Sequence, residues 1–126
     1  AKSYIAVVAG EIKENSGTID LPLRADWENR PRQKVCFERG KPSVTHFTVL
    51  ARGDNCTRLR LHPVTGRSHQ LRLHLLSIGH PILGCDLYAD PESLSRSDRL
   101  LLHAERLALK HPVTGQWLSI ESEPAF

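Results

Sequence analysis

The sequence predicts an α+β fold, a mixed but mainly antiparallel sheet with one helix packed against it at about residues 68–78. Three observations predict it. Stretches of β-branched and apolar residues at 2–10 and 44–51 have the composition and length of strands. A turn at Gly53-Asp54-Asn55 returns the second stretch as a hairpin through residues 56–61. A leucine-rich run with helix start and stop signals follows.

The stretch at 2–10 predicts a central strand, because apolar residues occupy both of its faces. A central strand one residue from the terminus, in a chain without Met, indicates that upstream sequence has been removed. Removal of only an initiator Met before Ala1 is the alternative.

Residues 11–34 are expected to be largely irregular, with at most a short edge strand at 17–23 that Pro22 limits. Within this region, residues 24–34 interleave basic side chains with Trp27. That pattern suits contacts with a nucleic-acid backbone and one stacked base. It equally suits a solvated loop with the tryptophan tucked beneath it.

The helix is expected to begin at Ser68, a good N-cap, and to end before Gly79, which suits a left-handed C′ position. Leucines fall on three of its faces at 100° per residue, so a mostly buried helix is predicted. Arg72 is the exception, and no residue three or four positions away from it is acidic. Its partner must come from another element, either in an ordinary salt bridge or as a carboxylate of an active site.

The C-terminal part is expected to begin with a loop at 85–97 in which residues 91–94 form a helical turn. Residues 100–110 are compatible with helix or strand by composition alone. The turn chemistry of residues 111–115 and the strand-like stretch at 116–120 favour a strand–turn–strand hairpin. The scattered histidines of the chain are assigned mostly to packing or capping.

The charge of the chain is unevenly distributed. Residues 1–75 carry 13 Lys and Arg against 7 Asp and Glu, which gives +6, whereas residues 76–126 carry 4 against 7, which gives −3. A positive half of this kind favours a polyanionic partner such as RNA, although a moderate bias is also compatible with an ordinary surface.

The sequence gives little support for a disulfide-bonded, metal-binding or membrane-spanning protein. Cys36, Cys56 and Cys85 are odd in number and lack Cys-x-x-Cys spacing, which argues against disulfides and zinc and favours a reducing cytoplasmic setting. His69 and His74 are five positions apart, a poor spacing for a shared metal ion on a helix. No apolar run approaches the ~20 residues of a membrane span, so no membrane partner is expected.

Two motifs resemble a known family. The run Thr65-Gly66-Arg67-Ser68-His69-Gln70-Leu71-Arg72-Leu73-His74, with residues 79–84 after it, closely resembles the signature of RluA-type pseudouridine synthases. The first strand is similar to the family's Lys-x-Tyr-x-Ala-x-Val-x-Gly motif, at Lys2, Tyr4, Ala6, Val8 and Gly10. The resemblance spans residues 2–126, and residues 26–36 resemble the short, tail-less members that modify both large-subunit rRNA and tRNA.

The resemblance implies isomerisation of specific uridines to pseudouridine in structured RNA, in large-subunit rRNA, tRNA or both, without a metal, nucleotide or organic cofactor. The family's essential aspartate lies in a His-Arg-Leu-Asp-x-x-Thr-Ser-Gly motif, which is absent from this sequence. Residues 1–126 are therefore expected to be the C-terminal part of a single catalytic domain, inactive alone, from a cytoplasmic monomer. A non-catalytic RNA-binding module is the alternative.

The resemblance assigns catalytic roles to Arg72, the partner of that aspartate, and to Tyr4, which packs against the target base. Arg67 lies at the predicted helix start, where backbone amides help to hold a phosphate. The other expected RNA-binding residues are basic positions on the predicted strands and in the 24–34 stretch, namely Lys2, Arg30, Arg32, Lys34, Arg58 and Arg60.

Overall fold

The computed structural model describes residues 2–67, 69–86, 88, 91–97, 99–110, 117–121 and 126. In chain order the strands and helices are β1 (Lys2–Ala9), β2 (Ser16–Asp20), β3 (Leu23–Ala25), β4 (Gln33–Val35), β5 (Val44–Gly53), β6 (Cys56–Pro63), α1 (Gln70–Ser77), α2 (Pro91–Ser95), β7 (Leu102–Lys110) and β8 (Trp117–Glu121). A 3-10 turn occupies Trp27–Asn29. No helix in these ranges is long and apolar enough to cross a membrane.

Six strands form one antiparallel sheet in the order β2-β5-β6-β1-β7-β8, and β3 and β4 pair in a separate small sheet. Strand β1 lies between β6 and β7, so its predicted central position is confirmed. The α+β class and the mainly antiparallel pairing are confirmed as well.

The core lies between one face of this sheet and α1. Leu59 and Leu61 of β6 are fully buried, and the leucines of α1 pack into the same cluster. Full burial of a leucine side chain stabilises a fold by roughly 2 kcal/mol, so these leucines hold α1 against the sheet. Leu71 and Leu75 share one face of the helix and Leu73 lies on the opposite one, yet all three are buried, which confirms the mostly buried helix.

Both ends of α1 lie within two residues of the predicted bounds. The C-terminal end is as expected, because Gly79 has φ +85° and its N–H donates to Leu76 O at 2.9 Å. At the N-terminal end, α1 begins at Gln70 with His69 as its N-cap, in the left-handed conformation at φ 54°, within two residues of the predicted start. The predicted cap, Ser68, lies outside the described residues. The Gln70 side chain fastens the loop that precedes the helix.

The largest error concerns residues 11–34, which hold more regular structure than predicted. The edge strand is present as β2, but β3 and β4 were not predicted. Each has three residues, too few for a period-2 pattern to be recognised, and the polar residues Arg24, Gln33 and Lys34 are not typical of strands. Leu23 is buried in the core and anchors the pair.

The C-terminal expectations hold where the structure describes the chain. The helical turn is confirmed as α2, and residues 102–110 form a strand paired with β8. The turn predicted at 111–115 lies outside the described residues. Strand β5 runs through Gly53, so the earlier hairpin turn is only Asp54 and Asn55, the second with φ 53°.

Candidate active site

A cavity of about 250 Å³ lies where β1, the end of β6 and the first turn of α1 meet. It brings together four of the nine predicted site residues, Lys2, Tyr4, Arg67 and Arg72. The remaining lining residues are Pro63, Thr65, Gly66, His69, Gln70, Leu71 and Leu102. Tyr4 and Arg72 are far apart in sequence but line the same cavity. This is because β1 pairs directly with β6, the strand that precedes α1 in the chain.

Gln70 fixes the loop that carries Arg67. Its side chain is 3% exposed, and its Oε1 accepts from the Thr65 hydroxyl at 2.7 Å and from the Arg67 N–H at 3.1 Å. Its Nε2 donates to Val44 O and to Thr45 Oγ1, both at 3.0 Å. Both the oxygen and the nitrogen of the Gln70 amide are thus hydrogen-bonded. Leaving any of these buried groups unpaired would cost about 1–3 kcal/mol. No role is predicted for Gln70 from the sequence, where the available signal is an amide within a leucine-rich helix.

Arg72 is half-buried on α1, and its guanidinium makes no hydrogen bond or ion pair with any residue that the structure describes. It is close enough to His69 to contribute to the lowered pKa of that imidazole. A partly desolvated guanidinium presents a planar fork of donors that matches a carboxylate. The cavity therefore presents a cation that is available to an anionic partner.

Tyr88 and His69 connect the small sheet to the start of α1. The Gln33 N–H donates to the Tyr88 hydroxyl, which lies 2.8 Å from Nδ1 of His69. Burial, and after it the Arg72 charge, lowers the pKa of His69, so the ring is neutral and Nδ1 accepts the phenol proton. Burial raises the pKa of Tyr88. Tyr88 lies in a predicted loop, and nothing in its local sequence signals this contact.

His74 continues the polar network into the core. The Thr45 hydroxyl, which accepts from Gln70, donates to Nδ1 of His74 at 2.9 Å, and the ring's Nε2–H donates to Leu21 O at 2.9 Å. The imidazole is fully buried, and this burial lowers its pKa. His74 is therefore a neutral packing residue, the role predicted for most histidines of the chain.

The buried His74 should make stability depend on pH. In the unfolded chain a histidine binds its proton near pH 6.5, whereas folded His74 does so only at lower pH. The unfolded state then holds more protons below about pH 6.5, so the free energy of unfolding should fall as pH falls, by at most about 1.4 kcal/mol per pH unit for this group. Denaturant unfolding of the full-length protein at pH 7.5 and 5.5 measures this loss. His74→Gln should reduce the loss, and an unchanged loss would contradict the assignment.

The predicted RNA-binding residues of the 24–34 stretch lie away from the cavity. The Arg30 guanidinium lies 4.0 Å from the Trp27 ring centroid, and that of Arg32 lies 5.2 Å from the Tyr88 ring centroid. Lys34 is exposed on β4. Two of the three thus stack on aromatic rings, which orients them without removing their charge.

Arg58 and Arg60 share the face of β6 opposite its leucines, as predicted, but both have partners within the chain. Arg60 binds the Glu105 carboxylate in a bidentate pair at 2.7 and 2.9 Å, and the Ser3 hydroxyl donates to the same carboxylate. This pairing lowers the pKa of Glu105 and raises that of Arg60. Arg58 donates to Phe126 O at 2.6 Å. Neither lines the cavity, and Arg60 would have to leave Glu105 to hold a phosphate.

In the part of the chain that the structure describes, no three His, Cys, Asp or Glu side chains are grouped so that they could hold a metal ion. The cavity's polar side chains are three cations, a phenol, a hydroxyl, an amide and a neutral imidazole. This combination suits a polyanion that carries an aromatic base rather than a cationic ligand.

Comparison with known proteins identifies the family. The model of the RNA pseudouridylate synthase family matches residues 1–77, which include β1, β6 and the whole of α1. The chain belongs to this family. Among RNA pseudouridylate synthase relatives, it is 59% identical over 126 residues to the dual-specificity RNA pseudouridine synthase RluA of Pasteurella multocida (strain Pm70) and 49% identical over 126 residues to that of Escherichia coli (strain K12). Each match covers 99% of this chain and 58% of the relative.

Solved structures of the family agree with the fold. Human RNA pseudouridylate synthase domain containing 1 superimposes with a TM-score of 0.88 at 32% identity, over 99% of this chain and 55% of that one. Human RNA pseudouridylate synthase domain containing 4 gives 0.73 at 24% identity, over 98% of this chain and 57% of that one, which supports the fold alone. The chain thus spans about half the length of the RNA pseudouridylate synthases it matches.

Proposed function

We propose that this chain is the C-terminal part of a single catalytic domain that isomerises specific uridines to pseudouridine in structured RNA, in large-subunit rRNA, tRNA or both. The observation that carries the proposal is the cavity that joins Tyr4 to an Arg72 without a partner among the described residues. The family's aspartate motif is absent from the sequence, and the matched relatives are longer. The catalytic aspartate accordingly lies in a preceding segment of the full-length protein.

The reaction breaks the N1–C1′ bond of uridine and forms a C5–C1′ bond. C5 loses its proton and N1 takes up a proton from solvent, so substrate and product are isomers. Arg72 pairs with the incoming aspartate, and the guanidinium keeps that carboxylate ionised against the desolvation of a closed site. The bidentate geometry also fixes the direction of the carboxylate oxygens. Arg72 thus acts on the nucleophile rather than on the RNA.

Tyr4, Arg67 and Lys2 act on the substrate. A uridine must leave its stack to be reached, and the half-buried Tyr4 ring offers a surface on which the extruded base packs. Arg67 and Lys2 are exposed at the cavity and suit phosphates on either side of it. Gln70 holds the backbone of Arg67 in place, so this contact is preorganised.

The setting that fits this function is the cytoplasm, where the three cysteines are reduced and the RNA substrates are present. The enzyme works as a monomer, without metal or organic cofactor and without a membrane partner. Its RNA affinity comes mainly from phosphate contacts by the positive first half of the chain, and it weakens as salt rises.

Release of tritium from transcripts labelled at C5 of uridine tests the proposal. The full-length protein should release tritium in proportion to the modified sites, because C5 loses its proton when it bonds to C1′. The non-catalytic alternative predicts that the protein binds the same transcripts without release. Tight binding by a folded full-length protein with no tritium release would overturn the enzymatic assignment.

A further inference from the structure

We propose that a second groove beside the candidate active site binds the RNA strand flanking the target uridine, with Trp27 stacking one base and neighbouring cations holding phosphates. The groove has a volume of about 680 Å³ and runs along β3 and the loop after β4. Its lining residues are Leu23, Arg24, Ala25, Trp27, Gln33, Arg39, Lys41, Gly66 and Arg67. The inference rests on the proposed function, since it assigns a strand of the same substrate.

Charge favours a polyanionic occupant. Among the described residues that line the groove, four are cationic and none is acidic: Arg24, Arg39, Lys41 and Arg67 are the cations. The wider segment 24–41 carries six Lys and Arg against three Asp and Glu. One of those carboxylates, Asp26, accepts a hydrogen bond from the Asn29 side chain at 3.1 Å. A groove with this lining attracts phosphates along its length.

Trp27 distinguishes a nucleic acid from other polyanions. Trp27 is 68% exposed and lines the groove, so its indole is accessible to an occupant of the groove. The Arg30 guanidinium covers one face of the indole at 4.0 Å from the ring centroid. An indole held in this way is orientated to stack a base on its other face, and such stacking is tolerant of sequence.

The groove continues from the candidate active site. Gly66 and Arg67 line both cavities, so a strand that leaves Tyr4 past Arg67 enters the groove directly. Arg67 Nε donates to Pro42 O at 3.2 Å, while Gln70 accepts from the Arg67 backbone. The Arg67 side chain therefore has a fixed position between the two sites, where it can bind one phosphate that lies at the junction.

The walls of the groove are preformed. Leu23 and Lys41 exchange backbone hydrogen bonds at 3.0 and 2.7 Å, which ties the loop after β4 back to β3. Gly40 is packed so closely that a side chain there would collide with the Cys36 carbonyl and with Pro22. Binding then requires little ordering of the protein, which reduces the entropic cost of ordering loops on association.

Fluorescence anisotropy with labelled oligouridylates tests the groove. The full-length protein should bind a chain of about 12 nucleotides more tightly than one of about 4, because only the longer one reaches from the active site into the groove. Trp27→Ala should weaken binding of the longer chain about tenfold or more and leave the shorter one nearly unchanged. Trp27→Phe, which keeps a stacking ring, should restore most of the affinity.

Phe37→Ala is the matched control. Phe37 is 77% exposed and belongs to the same loop after β4 as Arg39 and Lys41, but it does not line the groove. Its loss should therefore leave the affinity for the longer chain within about twofold. Inorganic polyphosphate is the second control, since it has charge without bases, and its binding should be insensitive to Trp27→Ala. Equal losses for Phe37→Ala and Trp27→Ala, or a Trp27 dependence of polyphosphate binding, would overturn the stacking role.

The salt dependence tests the cations separately. Arg39→Gln with Lys41→Gln should reduce the slope of log affinity against log salt by about 1.4 for the longer chain, since each lost single-strand contact removes about 0.7. An unchanged slope would remove these residues from the groove's function. Failure of the proposed function gives a different result: no tritium release by the wild type, whatever Trp27 does to oligouridylate affinity.

Discussion

Replacing Arg72 by Ala in the full-length protein should abolish most tritium release and leave RNA affinity within a few-fold of wild type. Arg72 lines the cavity beside Tyr4 and has no hydrogen-bond or ion-pair partner among the described residues, so its proposed partner is the aspartate of the preceding segment. Removing one member of a buried ion pair costs about 3–5 kcal/mol, which corresponds to roughly a 100-fold or greater loss of rate. Single-turnover tritium release at saturating enzyme measures the chemical step directly.

Two further variants distinguish a partner of the nucleophile from a simple RNA contact. Arg72→Lys should also fail, because an ammonium is a point charge and cannot reproduce a bidentate pair with a carboxylate. Arg67→Ala should have the opposite profile, with weakened RNA binding and a nearly normal rate at saturation, since its proposed contact is a phosphate. Near-normal turnover by Arg72→Ala would remove Arg72 from the catalytic machinery.

Features set by local rules were predictable from the sequence. The C-terminal end of α1 needs only a residue that tolerates positive φ and a proline soon after, and Gly79 and Pro81 supply both. The central position of β1 followed from its two apolar faces. The joining of Tyr4 and Arg72 in one cavity was not visible in local patterns, and it came from the family resemblance.

Features set by distant partners were not predictable. The loop before α1 is held by Gln70, whose amide bonds the Thr65 hydroxyl, the Arg67 N–H and residues of β5. Arg60 was assigned to RNA as a charged strand residue, but its carboxylate partner Glu105 lies 45 positions away in sequence. Neither partner is marked by spacing or composition, and only the assembled sheet brings the groups together.

The same distinction applies to the proposed groove. A basic stretch with one tryptophan was compatible with an RNA contact or a covered side chain, and the exposed indole argues against the second reading. The groove's cations, however, are mainly Arg24, Arg39 and Lys41 rather than those selected from the 24–34 stretch. The strands β3 and β4 determine which of these side chains share a surface, and with three residues each they are too short to be predicted from a period-2 pattern.

The isolated 126-residue chain should show no pseudouridine synthase activity, while the full-length protein should be active. The reason is chemical, since Tyr4 can support a base and Arg72 can hold a carboxylate, but neither is a nucleophile at neutral pH. No carboxylate lines the described part of the cavity to take that role. Tritium release by both proteins, at equal concentration on the same transcript, measures the difference.

A folded but inactive chain is the informative result, so circular dichroism and a cooperative thermal transition should accompany the assay. If the chain does not fold alone, replacing the aspartate of the preceding segment by asparagine in the full-length protein makes the same comparison. That variant should bind RNA normally and release no tritium, because the amide is not an effective nucleophile. Turnover by the folded isolated chain, or by the asparagine variant, would show that the nucleophile lies elsewhere and that Arg72 does not serve it.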